Sequence, residues 1–173
     1  MKIRLLDAAD RAAFRGLRLA ALGSDPDSFM MTMAEERLVP RLMVERYLDE
    51  PTGGSFFLGA FDQGALCGMV GAVAGNHAKR RHVTEILSLY VQPQWRGQGL
   101  GRQLLRAALN RIFAETTIDR VKLSVVAGNQ TALSLYASFG FVEHGREPAA
   151  YALGEKSWDL IEMSLQRPTV MLA

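Results

Sequence analysis

The distribution of apolar and polar positions divides this chain into alternating extended and helical stretches. Lys2 to Leu6 is a short extended run, and Asp7 stands where it caps a helix whose apolar positions Phe14, Leu17, Leu19 and Leu22 recur at helical spacing before a stop at Gly23. Ser24 to Pro40 is polar and methionine-rich and reads as a connection to a second helix from Arg41 to about Leu48, which Pro51-Thr52-Gly53-Gly54 ends. Phe56 to Phe61 and Leu66 to Ala74 read as a hairpin turned at Asp62-Gln63-Gly64. A strand from His82 to Val91 leads into a glycine-dense turn, and an apolar stripe at Leu100, Leu104, Leu105, Ala108 and Ile112 marks the helix behind it. Val121 to Val126 is the next strand. Asn129 suits the N-cap of a short helix and Gly140 its C-terminal cap, and Trp158 to Leu165 is a final antiparallel strand before a loose tail. Elements in this order predict an α/β (α+β) fold, a mixed sheet with helices on its faces.

The turn after the central strand carries the most chemistry. Gly97, Gly99 and Gly101 lack a Cβ, so the backbone can take steep dihedrals and press its N–H groups against a ligand. The first N–H groups of the helix that follows have no internal partner and sit at the positive end of its dipole, which suits a phosphate or pyrophosphate. Two other phosphate motifs are excluded. The dinucleotide fingerprint needs glycine where this chain has Arg102, and an acid about twenty residues on, where only Asp119 stands, in a weak context. A Walker loop needs Gly-Lys-Ser/Thr, which the turn does not supply.

Composition narrows the partners. A length of 173 residues suits one domain with a full core. Twenty basic against eighteen acidic side chains give +2, too balanced for nucleic acid as the main partner, and Lys79-Arg80-Arg81 reads as a solvated loop. The single cysteine, Cys67, lies in an apolar run and reads as a buried small hydrophobe, leaving neither a disulfide nor a cysteine-rich metal site, and no metal is expected. The N-terminus lacks a signal h-region and no apolar stretch is long enough to span a bilayer, so a cytoplasmic protein without a membrane partner is expected.

Arg96-x-x-Gly99-x-Gly101 after Val91-x-Pro93 resembles the acetyl-coenzyme A signature of the GNAT superfamily of N-acetyltransferases. Asn129, Ala132, Tyr136, Gly140 and Phe141 match the spacing of that superfamily's second coenzyme block. The resemblance runs from Ile3 to about Leu165 and implies one GNAT domain over residues 1–167, with a tail at 168–173. It further implies a mostly antiparallel central sheet with helices on both faces, whose strands Ile86–Val91 and Val121–Val126 splay to receive the pantetheine arm. The coenzyme set would be the main chain at Leu89, Tyr90 and Val91, the pyrophosphate turn Arg96, Gly97, Gln98, Gly99, Leu100, Gly101 and Arg102, and Asn129 and Tyr136. The Arg96 side chain has a second available job, packing or pairing on the surface.

The implied reaction is attack of a neutral primary amine on the acetyl thioester, so the amine must lose a proton and the departing thiolate gains from receiving one. Tyr136 matches the residue near the sulfur in many GNAT enzymes and is the expected general acid. Its alternative is an amphipathic core tyrosine spaced helically from Ala132. Glu85 stands where several members place a base, although it also fits an exposed position of an alternating strand. His82, His144 and, less so, His77 are other candidates by their ordinary titration range.

Acceptor choice falls to Ser24–Pro40 and the surroundings of Tyr151. Phe29, Met30, Met31 and Met33 suit either a soft pocket wall or core, and Glu35 and Glu36 either draw a cationic amine or begin a solvated helix face. Small amines, amino acids, aminated antibiotics and protein N-termini all fit, as does a homodimer. Two other function classes stand beside the enzyme: an acyl-coenzyme A sensor that binds without transfer, and a nucleotide-binding domain with an unrelated glycine turn.

Overall fold

A computed structural model describes residues 1–52, 54–115 and 117–167; the tail expected at 168–173 and Gly53 of the expected helix stop lie outside them. Among the described residues seven strands form one sheet: β1 Lys2–Leu5, β2 Phe56–Asp62, β3 Ala65–Ala74, β4 Val83–Val91, β5 Arg120–Val126, β6 Val142–Leu153 and β7 Lys156–Gln166. Their order is β1-β2-β3-β4-β5-β7-β6, and every pair is antiparallel except β4 with β5. The β2–β3 hairpin turns at Gln63 and Gly64, both at positive φ (46° and 87°), the backbone that a two-residue loop needs to follow strand twist.

Helices cover both faces. On one side α4 (Leu100–Ala114) and α5 (Gln130–Ala137) bury Leu104, Leu105, Ile112 and Tyr136 against Ile86, Val121 and Leu123. On the other, α1 (Arg11–Ser24) and the short α3 (Arg46–Asp49) bury Phe14, Leu17 and Leu48 against Phe57, Met69 and Tyr90. Phe14 meets Phe57 edge to face at 4.9 Å, a geometry that aligns the ring edge with the neighbouring π cloud. Cys67 is buried, as its apolar run predicts.

Three readings need correction. Gly23 does not stop α1, which continues to Ser24 because Asp25 supplies its C-cap. The second helix starts later than Arg41, with a 3-10 turn at Met43–Glu45 before α3. Within the supposed connection lies α2 (Met33–Leu38), nucleated by a capping box in which Thr32 and Glu35 satisfy each other's main-chain N–H. The sequence contains that signal, but only six residues follow it. Strand β6 has no signal in the apolar pattern, because it is an edge strand, exposed along most of its length, whose residues lack an apolar face to alternate.

Strands β4 and β5 decide where a ligand can enter. They pair only at Val83–Arg120, Thr84–Val121 and Glu85–Lys122, and then part. β4 remains paired to β3 as far as Val91, and β5 to β7 as far as Val126, so each strand keeps one neighbour and loses the other. The result is a wedge that opens at the carboxyl ends of two parallel strands, where α/β sheets place their ligands.

Candidate active site

A cleft of about 460 Å³ fills the wedge. Its walls include Leu89, Tyr90 and Val91 of β4, Arg96, Gly97, Gly99, Leu100, Gly101 and Arg102 of the glycine turn, and Asn129 and Tyr136 of the second block. Gln98 and Glu85 are not among its lining residues.

The turn has the build of an anion cradle. Gly97 and Gly99 both adopt φ 75°, and a Cβ at either would meet open space, so the restriction to glycine comes from the backbone conformation. Gly99 is the N-cap of α4 and offers no side-chain oxygen, and among the described residues no side chain caps the first-turn N–H groups. They remain available to a ligand. Arg96 is engaged otherwise: its Nε donates to Val91 O at 2.9 Å, and its guanidinium grips Asp25 through Nη1 to Oδ1 at 3.2 Å and Nη2 to Oδ2 at 2.5 Å. Burial pushes the Asp25 carboxyl up, but hydrogen bonds from Arg96 and Ser24 together with the Arg96 charge outweigh it and hold the group below its ordinary range. Surface pairing is the job the Arg96 side chain has here, leaving the main chain of the turn to face the cleft.

The segment after α1 is thereby strapped to both rims. Besides the Asp25–Arg96 pair, Ser24 Oγ and Tyr90 Oη lie 2.9 Å apart, and Asn129 Nδ2 donates to Ser28 Oγ at 3.3 Å. Asn129 Oδ1 meanwhile accepts from Ala132 N at 3.0 Å, the cap expected of it. Asp25, Ser28 and Phe29 line the cleft, and sequence reasoning did not place Asp25 or Ser28 there, because nothing local marks them.

Tyr136 is buried at 8% exposure, packs against Phe141 at 5.8 Å between centroids and still reaches the cleft. Burial pushes its phenol up to about 12, so it stays protonated across the neutral range and can donate. Glu85 is exposed, at the last paired position before β4 and β5 part, on the face that α4 does not cover. Tyr151, half-buried, has its phenol raised by burial and then by the charges of Glu162, Glu147 and Glu85. His77, His82 and His144 are exposed and outside the cleft lining. Glu35 is exposed and accepts from Thr32 through one oxygen, while Glu36 is fully buried against Arg18, so Glu36 neither begins a solvated face nor is free for an incoming amine. Met30 is exposed at 74%, whereas Phe29 and Met31 pack against the core beneath α1.

The family model described as "Acetyltransferase (GNAT) family" matches residues 24–141. The chain belongs to that family. Its fold superposes on the crystal structure of a GNAT-family acetyltransferase from Streptococcus pneumoniae with a TM-score of 0.79 at 25% identity, covering 95% of this chain and 98% of that one. The yncA structure of Salmonella typhimurium, determined with its cofactor acetyl-CoA, gives 0.77 at 22% identity over 100% of this chain and 97% of the other. Among curated relatives, the mycothiol acetyltransferase of Salinispora tropica is 30% identical over 77% of this chain and 41% of its own length. The L-amino acid N-acetyltransferase AaaT of Escherichia coli is 24% identical over 83% of both chains. The chain thus spans less than half the length of the mycothiol acetyltransferase it matches.

Proposed function

We propose that this protein transfers the acetyl group of acetyl-CoA to a primary amine of a small molecule, amino acid or protein N-terminus. The observation that carries the reading is the wedge left where β4 and β5 stop pairing after Glu85, bordered by the uncapped glycine turn and by Tyr136. When bound, acetyl-CoA supplies an activated thioester. The turn from Gly97 to Arg102 offers its main chain to the pyrophosphate, Leu89 to Val91 offer main-chain groups that no β5 strand satisfies, and Asn129 orders the opposite rim. Groups of this kind favour a polar arm over an empty cleft, because each buried unpaired amide costs about 1–3 kcal/mol.

Tyr136 holds its proton at Oη and delivers it to the departing sulfur, a role suited to a phenol that burial keeps neutral. Glu85 takes the proton of the incoming amine on the open face, directly or through water. Tyr151, Glu147 and Glu162 shape the acceptor's approach there, with negative charge that favours a cationic amine.

An amine panel with detection of free thiol tests the transfer, and a thermal-shift titration tests the donor. Acetyl-CoA at about a hundred times its dissociation constant should add roughly 2.7 kcal/mol of stability. A saturable shift and thiol release with at least one amine are expected. Binding without turnover across the panel would leave a sensor module, and a shift with NAD but none with acetyl-CoA would defeat the assignment.

A further inference from the structure

Ser88 is the pivot of the strand that faces the coenzyme cleft. Ile86 packs into the core beneath α4, and side chains of an uninterrupted strand repeat every second residue, so Tyr90 should lie on that same side. Instead Tyr90 packs beneath α1, while Leu89 and Val91 pack on the α4 side and line the cleft. A one-residue bulge makes this exchange of faces: Gly71 pairs with Leu87 and Met69 with Tyr90, leaving Val70 opposite both Ser88 and Leu89. The bulge needs φ 56° at Ser88, a left-handed backbone that glycine adopts freely and serine keeps only when it is held.

Arg18 holds it. From α1, its Nη1 donates to Ser88 Oγ at 3.0 Å, while its Nε donates to Glu36 Oε1 at 3.2 Å and its Nη2 to the other oxygen of the same carboxylate. Arg18 is 9% exposed and Glu36 is 0% exposed, so the planar fork is fixed by three hydrogen bonds in a region largely shielded from water. The guanidinium also lies 5.6 Å from the ring of Phe29, a wall of the cleft on the strap side.

We infer that Arg18, anchored by Glu36, is a positioning residue for acetyl transfer: by holding the Ser88 hydroxyl it sets which face of Leu89–Val91 is presented to the coenzyme. Arg18 itself touches no reacting atom, and this role rests on the acetyl-CoA reading above. It ties the acceptor-side elements α1 and α2 to the strand on the donor side, so the two halves of the site keep a common register.

A buried ion pair also stabilises the fold, and the test has to separate the two roles. Ser88→Gly does so, because glycine takes the left-handed backbone without strain while removing the hydroxymethyl group that Arg18 holds, and it leaves the Arg18–Glu36 pair intact. Arg18→Lys keeps a cation beside Glu36 but cannot fork to both partners. Two measurements apply to each variant: amide hydrogen exchange across Leu87–Val91 in the unliganded protein, and the Kd for acetyl-CoA by calorimetry. Ser88→Gly should melt close to the parent, yet exchange faster at Leu89–Val91 and bind acetyl-CoA about tenfold more weakly, with Arg18→Lys moving the same way. Parental exchange together with a parental Kd in Ser88→Gly would overturn the inference. If the parent itself fails to bind acetyl-CoA, the functional reading falls instead, and the exchange rates of the unliganded variants decide the anchoring role alone.

Discussion

Tyr136 and Gly99 carry the sharpest expectations at the scale of single residues. Tyr136→Phe deletes one oxygen from a buried ring and leaves its packing on Phe141 in place. General-acid catalysis contributes about a hundred- to ten-thousand-fold, so kcat should fall on that order while coenzyme affinity and melting temperature stay near the parent. Steady-state rates with a working amine decide this, and near-parental turnover would refute the acid role. The pH profile adds an independent reading. A phenol raised to about 12 remains protonated throughout the working range, so kcat should show no descending limb from this group below that value. Because burial penalises the phenolate, the folded state loses stability relative to the unfolded chain as pH climbs from the ordinary tyrosine range toward 12. At Gly99 a side chain has room in the free protein but the wrong backbone, with φ at 75°. Gly99→Ala should therefore cost about 1–2 kcal/mol of stability from the left-handed conformation alone. A larger loss should appear in coenzyme affinity, measured by calorimetry, because the added methyl stands on the cradle. Unchanged affinity would place the pyrophosphate elsewhere.

Among elements, the α1–α2 connection is the one whose behaviour matters most to the site. Asp25, Ser24 and Ser28 fasten it to Arg96, Tyr90 and Asn129, so the strap contacts both the glycine turn and the cap of α5. Because the Asp25 carboxyl titrates below its ordinary range, its pairing contributes at neutral pH and is lost only as pH falls through that lowered value. The same carboxylate places negative charge beside the cradle. Asp25→Asn keeps an oxygen for Arg96 but removes the charge that opposes a diphosphate, so acetyl-CoA should bind several-fold more tightly, with a steeper dependence on salt. Weaker binding would mean that the strap's grip outweighs the repulsion. Much of this element was legible in principle: Thr32 and Glu35 form a capping box within the sequence itself. What concealed it is shortness, since α2 spans six residues and no helix of that length stands without tertiary support.

For the whole molecule, the two helical layers are joined to the sheet by different means. The α4 side is an apolar core, whereas the α1 side also contains the buried Arg18–Glu36 pair. Arg18→Ala leaves the Glu36 charge buried without a partner, which typically costs about 3–5 kcal/mol. The melting temperature should drop on the order of ten degrees, checked by calorimetry or circular dichroism. A drop of only a degree or two would show that water reaches Glu36 once the guanidinium is gone.

Features that neighbouring residues decide are legible in the chain. The positive-φ glycines of the turn, the Asn129 cap, the periodicity of α4 and the spacing within the two motifs each depend on dihedrals and contacts within a few residues. Glu85 was legible as a position on β4, but its place at the point where the strands part depends on pairing with β5. Only the tertiary structure brought together Arg18 with Ser88 across 70 positions, Asp25 with Arg96 across 71 and Ser28 with Asn129 across 101. Such pairs leave no periodic trace, because a single polar side chain on a helix or loop has the same local pattern whether it meets water or a distant partner. Strand β6 followed the same logic at the sheet edge: with water on much of its surface, nothing required its residues to alternate, and pairing with β7 made it a strand.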